Sequence, residues 1–352
     1  MSMFRRSIFT GLAVVLAVLP LSGLGGGLAQ AQDEASGFSS YLQGVAMRAR
    51  AQGVSQATLD AVLPTLTFNP RVVELDRGQP GGSPTSTAAP IPNFAPYRAQ
   101  HVDAPRIARG RAKYQALRPL LQRVERETGV PESIMVSIWG NETNYGAFTG
   151  SFDLPRSLAS LAYEGRRRDL FEQEFIDTLK LIDRGTPREV LKGSWAGATG
   201  YPQFLPSAVI RLARDGDGDG RIDIWRSEAD ALASIANYFV QAGWRPNQPW
   251  GVAATVPSSL NRAALANKTV SPRCARVHDR HSRWMTVAEW RALGVMPVSQ
   301  RLRDSDLASL IEPDGPGATA YLLTGNYRVI LDYNCSNFYG LSVGLLADAV
   351  AS

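Results

Sequence analysis

The chain has little cysteine and little histidine. Cys274 and Cys335 are its only thiols, and His101, His278 and His281 its only imidazoles, in 352 residues. Two cysteines exclude a disulfide-framework fold and any all-thiolate zinc site. His278 and His281 lie in a polar, arginine-rich stretch unlike a metalloprotease helix, so histidine chemistry is set aside. A strong excess of one charge is also lacking: 37 Lys plus Arg stand against 32 Asp plus Glu, a net charge of +5. That balance suits an anionic partner and is too weak to indicate nucleic acid. Internal repeats are missing, as is a second long apolar run after the N-terminal one. What is present is apolar material: 44% hydrophobic against 20% charged residues excludes a disordered chain and allows a large core. The length suggests about two to three lobes.

The N-terminus pairs Arg5 and Arg6 with an apolar run over 8–24 and then Ala29-Gln30-Ala31. This is the pattern of a secretory signal peptide over residues 1–31, cleaved after Ala31. Pro20 and the neighbouring glycines break the run before it can span a bilayer. No cysteine stands near the junction to carry a lipid. The expectation is an exported, periplasmic, soluble protein with no permanent membrane anchor. In that oxidising compartment Cys274 and Cys335 read as a disulfide, against the alternative of two buried thiols.

Apolar spacing predicts helix over 38–66 (Leu42, Val45, Ala46, Ala49) and one helix through Tyr114, Leu117, Leu121 and Val124 that ends near Gly129. Pro131 suits the first turn of the next helix, PESIMVSIWGNETNYG. Further helices are expected over 170–184, 207–214, 228–242 and 341–350. GQPGGSPTSTAAPIP at 78–92 reads as a connector. Residues 250–327 are less periodic and suggest short strands, with 327–331 one candidate.

Glu142 lies four residues after Ile138 and eight after Ile134, so helical geometry puts it on their apolar stripe, with Tyr145 continuing the face. A carboxyl there, beside Trp139 and Tyr145, is partly desolvated and keeps its proton nearer neutrality. Such an acid can protonate a leaving oxygen, as breaking a glycosidic bond requires. The alternative is a helix-end glutamate capped by amides or paired with an arginine.

Several long segments carry a resemblance in consistent order: GVSQATLDAVL, RVVELDRGQP, GVPESIMVSIWGNETNYGAFTG, LKGSWAGATGYPQFLPSAV, DGDGDGRIDIWRSEADALASIANYFVQAGW and YRVILDYNCSNFYGLSVGLLADAV. They resemble the lytic murein transglycosylases of the B type, glycoside hydrolase family 103, in a soluble form. The resemblance implies a mainly α (α+β) protein with a lysozyme-like catalytic core. It divides the chain into the signal peptide 1–31, an N-terminal helical segment and linker 32–105, the core 106–249 with an EF-hand-like loop, a small β-containing lobe 250–327, and a C-terminal segment 328–352 that returns to the groove. It implies that Glu142, in its ET-x-x-G context, is the single catalytic acid. It would cleave the β-1,4 bond from N-acetylmuramic acid to N-acetylglucosamine in peptidoglycan, leaving a 1,6-anhydro sugar. Ordinary glycosidases need two carboxylates. A hydrolytic muramidase on the same fold and a non-catalytic peptidoglycan-binding protein remain as alternatives. The implied partners are glycan strands and wall-synthesis proteins, met by a monomer.

By the same resemblance Ser194, Gln203, Tyr238, Tyr333 and Tyr339 line the groove. Gln203 offers a donor and an acceptor to sugar hydroxyls, and tyrosines cover C–H faces while their hydroxyls bond. Cys335 and Phe338 depart from the family's commoner polar spelling. Arg166, Arg167 and Arg168 read either as a solvated helix start or as contacts for stem-peptide carboxylates.

Asp215, Asp217 and Asp219, followed by Gly220 and Arg221, match the first half of an EF-hand loop, with the Arg221 carbonyl at position seven and Asp223 at nine. Position twelve is Arg226, so Asp230 is the better closing carboxylate. The expected ion is a structural Ca²⁺ that pins two helices; a calcium-free turn and a calcium sensor are the other readings.

Overall fold

The computed structural model describes residues 24–79, 92–268, 271 and 273–352, with side chains from residue 35 onward. The expected leader up to residue 23, and the expected connector at 80–91, lie outside the described residues.

The chain opens with α1 (Leu24–Ala51), α2 (Gln56–Val62) and α3 (Pro70–Arg77). The continuous helix expected over 38–66 is broken here. Gly53, at φ 91°, turns the chain, and the Ser55 side chain caps α2 by accepting from the Thr58 amide. Next come α4 (Phe94–His101), α5 (Ala104–Ala116), α6 (Arg118–Thr128) and α7 (Glu132–Thr143). The one helix expected through Tyr114 and Val124 is therefore two, because Pro119 has no amide hydrogen with which to continue the α5 ladder. Gly129, at φ 70°, closes α6 where expected. Pro131 stands just outside α7 as its cap and not in its first turn.

β1 (Phe152–Asp153), α8 (Leu154–Glu164), α9 (Arg168–Asp183), β2 (Lys192–Gly193), α10 (Pro206–Leu212) and α11 (Glu228–Gln241) follow. The remainder is β3 (Gly251–Thr255), α12 (Ala275–His278), β4 (Met285–Thr286), α13 (Val287–Ala292), β5 (Met296–Pro297), β6 (Leu307–Ile311), β7 (Ala320–Leu323), α14 (Gly325–Tyr333) and α15 (Asn337–Ala351). The strand expected at 327–331 is a turn of α14. Thr324 caps that helix, and Tyr327, Ile330 and Leu331 bury at helical spacing.

β1 and β2 form a two-stranded antiparallel pair; the other strands form an antiparallel sheet in the order β4-β6-β7-β3-β5. Leu322 of β7 stands opposite both Val252 and Leu310. These residues pack with Val287 and the buried Trp290, whose indole N–H donates to the Ala308 carbonyl at 3.0 Å.

Two helical cores flank the chemistry. In one, Ile138 and Trp139 of α7 meet Phe239 of α11, Ile330 of α14 and Leu346 of α15. In the other, α1–α3 pack on α8–α10 through Phe38, Val45, Leu158, Phe175 and Leu212. Each fully buried side chain of this size stabilises by roughly 1.5–3 kcal/mol. Tyr333 packs against both cores and so marks their seam. The C-terminal helix is fixed along α7: Ser137 Oγ donates to the Val343 carbonyl at 2.6 Å. Among the described residues no helix is long and apolar enough to cross a membrane.

Candidate active site

α7 is apolar nearly all round: Ile134, Met135, Val136, Ile138 and Trp139 are buried, so the helix runs through the interior. Its end is shaped by three successive left-handed residues, Asn144, Tyr145 and Gly146, at φ 51°, 61° and 86°. This corrects the sequence reading of Tyr145, which does not continue the helical face. Its ring folds back over Gly140, where a Cβ would lie 2.6 Å from the ring, and its hydroxyl donates to the Arg106 carbonyl at 3.1 Å. Glu142 therefore sits on the last rigid turn of a buried helix.

Glu142 is a half-buried residue. Its oxygen Oε1 accepts from the Tyr339 hydroxyl at 2.6 Å. Desolvation pushes its pKa up to about 7, and the Tyr339 hydrogen bond, which favours the carboxylate, opposes part of that rise. No charged neighbour contributes to the shift, and among the described residues no Lys or Arg forms an ion pair with Glu142. The arrangement is that of a proton donor near neutral pH, without the arginine partner of the alternative reading.

The expected groove residues fall into two groups. Tyr339, Tyr333 and Tyr238 come together: the Tyr238 and Tyr333 rings are 4.6 Å apart. Their hydroxyls hold backbone, Tyr333 donating to the Pro202 carbonyl at 2.6 Å and Tyr238 to that of Asp332 at 2.7 Å. Burial and the charge of Glu142 raise the Tyr333 and Tyr339 hydroxyls well above the usual phenol range. Gln203 and Ser194 lie on the loop after β2. Gln203, at φ 52°, donates from Nε2 to the carbonyls of Gly200 at 2.9 Å and Thr149 at 3.2 Å. Ser194 Oγ accepts from the Ala198 amide at 3.0 Å, which leaves its hydroxyl proton for another acceptor.

Two residues escaped the sequence reading. Burial, and after it the charge of Glu142, raises the hydroxyl pKa of Tyr97 in α4, whose ring stacks on His101 at 3.7 Å. Asn141 accepts from Ser342 Oγ at 2.9 Å and ties α7 to α15 beside the acid. A lone tyrosine after a proline-rich stretch and an asparagine beside a glutamate give no periodic or motif signal.

Arg166 and Arg167 are exposed just before α9, as the reading of a solvated helix start expects, and they also have a partner that the sequence did not indicate. Both are ion-paired to the buried carboxylate of Asp76 in α3. Arg168 lies over the Tyr41 ring and donates to the Tyr163 carbonyl at 3.1 Å. They fasten the N-terminal helices to the start of α9.

In the acidic loop, carboxylate oxygens of Asp215, Asp217 and Asp230 come within 4.8 Å of one another. Asp230 is 2% exposed. It accepts from the amides of Gly216 at 2.7 Å and Asp223 at 2.6 Å. Desolvation, then those bonds in opposition, then the charges of Asp217 and Asp215, leave its pKa raised. The Asp219 carboxylate is not part of this trio and accepts from the Arg221 amide at 2.8 Å. Asp223 is bonded to Arg226 at 2.7 Å. Cys274 and Cys335 are joined, Cα atoms 5.5 Å apart, linking the start of α12 to the loop between α14 and α15.

A family model described as a transglycosylase SLT domain matches residues 37–348. The membrane-bound lytic murein transglycosylase B of Escherichia coli K12 is 30% identical over 280 residues, covering 79% of this chain and 73% of that protein. The structure resembles SltB3 from Pseudomonas aeruginosa in complex with NAG-anhNAM-pentapeptide at 35% identity, with a TM-score of 0.78 over 90% of this chain and 80% of that one. It also resembles the Escherichia coli lytic transglycosylase Slt35 in complex with calcium at 27% identity, with a TM-score of 0.70 over 90% and 93% of the two chains.

Proposed function

The chain belongs to the transglycosylase SLT domain family, and from that premise we propose that it is an exported, periplasmic lytic transglycosylase that cleaves the MurNAc–GlcNAc β-1,4 bond of peptidoglycan with Glu142 as acid and then base. The observation that carries this reading is the Glu142 carboxyl: on a half-buried residue, bonded to the Tyr339 hydroxyl, without an ion pair among the described residues, and with its pKa pushed up to about 7 by desolvation.

The neutral carboxyl gives its proton to the glycosidic oxygen as the C1–O bond breaks. The substrate's 2-acetamido oxygen supports the oxocarbenium-like C1. Glu142, now a carboxylate held by Tyr339, takes the proton of the muramic acid C6 hydroxyl while O6 bonds to C1. The acid is regenerated, the sugar leaves as the 1,6-anhydro form, and no water is consumed. Tyr339 is a positioning residue in this scheme. The Gln203 acceptor oxygen and the Ser194 hydroxyl proton suit N-acetyl and hydroxyl groups of the glycan.

The acidic loop fits a structural Ca²⁺. Three carboxylates crowd together and one of them is buried; a hard dication relieves their repulsion, and Asp215, Asp217 and Asp230 are the oxygens that would hold it. Bound there, the ion adds rigidity between α10 and α11.

Mass spectrometry of muropeptides released from purified sacculi tests the reaction. Wild type is expected to release anhydro-muramic products and Glu142→Gln none. Reducing-end muramic acid instead identifies a hydrolytic muramidase, and sacculi left intact by wild type identify a binding protein.

A further inference from the structure

Phe148, 73% exposed, shows more of itself to solvent than any other large apolar side chain among the described residues. Isolated exposed apolar residues are ordinary. What sets Phe148 apart is the rigidity of its loop and what holds it. The Gly146 amide donates to Thr143 Oγ1 and the Phe148 amide to the Thr143 carbonyl, both at 3.0 Å. Thr143 is the residue directly after Glu142. On the other side, the Thr149 carbonyl accepts from Gln203 Nε2 at 3.2 Å. Gly150, at φ 89°, lies so close to Gly193 that a Cβ would collide with the Gly193 backbone. The segment's backbone is thus pinned between the end of the acid-bearing helix and the 193–203 loop, and from it the phenyl ring projects into solvent.

We propose that Phe148 is a substrate-binding residue at the rim of the Glu142 groove, its ring a flat apolar platform for the C–H face of a hexopyranose unit of the glycan strand. The proposal rests on the reading of Glu142 given above and names a contact outside the residues that the resemblance supplied. The ring chemistry fits a sugar whose polar groups are met elsewhere. The tyrosine hydroxyls of the groove are committed to Glu142 and to backbone carbonyls, whereas Phe148 has no polar group to satisfy and offers area alone.

The test is the KM and kcat of full-length wild type, Phe148→Ala, Phe148→Leu and Phe148→Trp on uncrosslinked glycan strands, with thermal unfolding of each. An exposed ring contributes little to stability, so unfolding midpoints are expected to stay together. Ala and Leu variants are expected to raise KM roughly three- to tenfold at unchanged kcat, while Trp keeps the wild-type KM. An unchanged KM for Phe148→Ala, or a Leu variant as good as wild type, overturns the stacking role while an active wild type leaves the Glu142 reading intact. A wild type inactive on these strands overturns both.

Discussion

Tyr339 and Glu142 are 197 residues apart in the chain and 2.6 Å apart in the structure, hydroxyl to carboxylate oxygen. α7 brings the acid and the first turn of α15 brings the phenol, and the two helices are fixed against each other by Ser137 on Val343 and Asn141 on Ser342. The phenol favours the ionised acid and desolvation favours the neutral one, so the pair sets how readily Glu142 gives and retakes a proton.

Tyr339→Phe removes the one bond that lowers the Glu142 pKa. The acid then stays protonated to higher pH, and the alkaline limb of the kcat/KM profile is expected to move upward. Turnover is expected to fall about tenfold, the value of a hydrogen bond to a charged group. A pH–rate profile unmoved by the substitution would contradict the positioning role.

The raised Glu142 pKa also links stability to pH. The folded state holds a proton that the unfolded state releases above pH 4.5, so this group's contribution is fully present below 4.5 and is lost as pH rises through about 7. Glu142→Gln lacks that loss. Relative to wild type the variant is expected to gain about 1–3 kcal/mol between acid and mildly alkaline pH. Thermal unfolding of both proteins across that range reads the difference.

The Cys274–Cys335 bond closes a loop with a sequence separation of 61 and sits between Tyr333 and Tyr339 in the chain. The chain-entropy model gives such a cross-link about 4 kcal/mol. Replacing both cysteines by serine is expected to lower the unfolding midpoint and to raise KM, because the loop between α14 and α15 loses its tether to α12. Unfolding scans and glycan-strand kinetics with and without a reductant check both effects.

Calcium is expected to raise the unfolding midpoint of wild type, by about 2.7 kcal/mol of stability at a hundredfold excess over Kd, and to leave Asp217→Asn unmoved. Calorimetric titration of chelator-treated protein counts the ions. The absence of a calcium-dependent shift in wild type removes the ion from the structure's account.

Glu142 and its motif were legible from sequence because local spacing sets them: a helix built of Ile134, Ile138 and Trp139 buries whatever stands one turn on. The acidic loop was legible for the same reason, its carboxylates alternating within a few residues. Asp230 was legible as well, as the closing carboxylate where position twelve is Arg226; that the carboxylate of Asp219 is not among the clustered three was not, because the turn of the loop and not the alternation sets where that side chain goes. The apolar period runs unbroken across Pro119 and so hides the break there, and the short apolar stretch at 327–331 has the same pattern in a strand as in a buried helix.

The sequence by itself determined the helix-rich composition and the acid at the end of a buried helix, both of which depend on residues within one or two turns of one another. Only the tertiary structure decided that the charge of that acid reaches Tyr97, that Arg166 and Arg167 pair with Asp76, and that Phe148 remains in solvent on a segment held by Thr143 and Gln203. Those outcomes depend on contacts between elements far apart in the chain, whose packing no local period encodes.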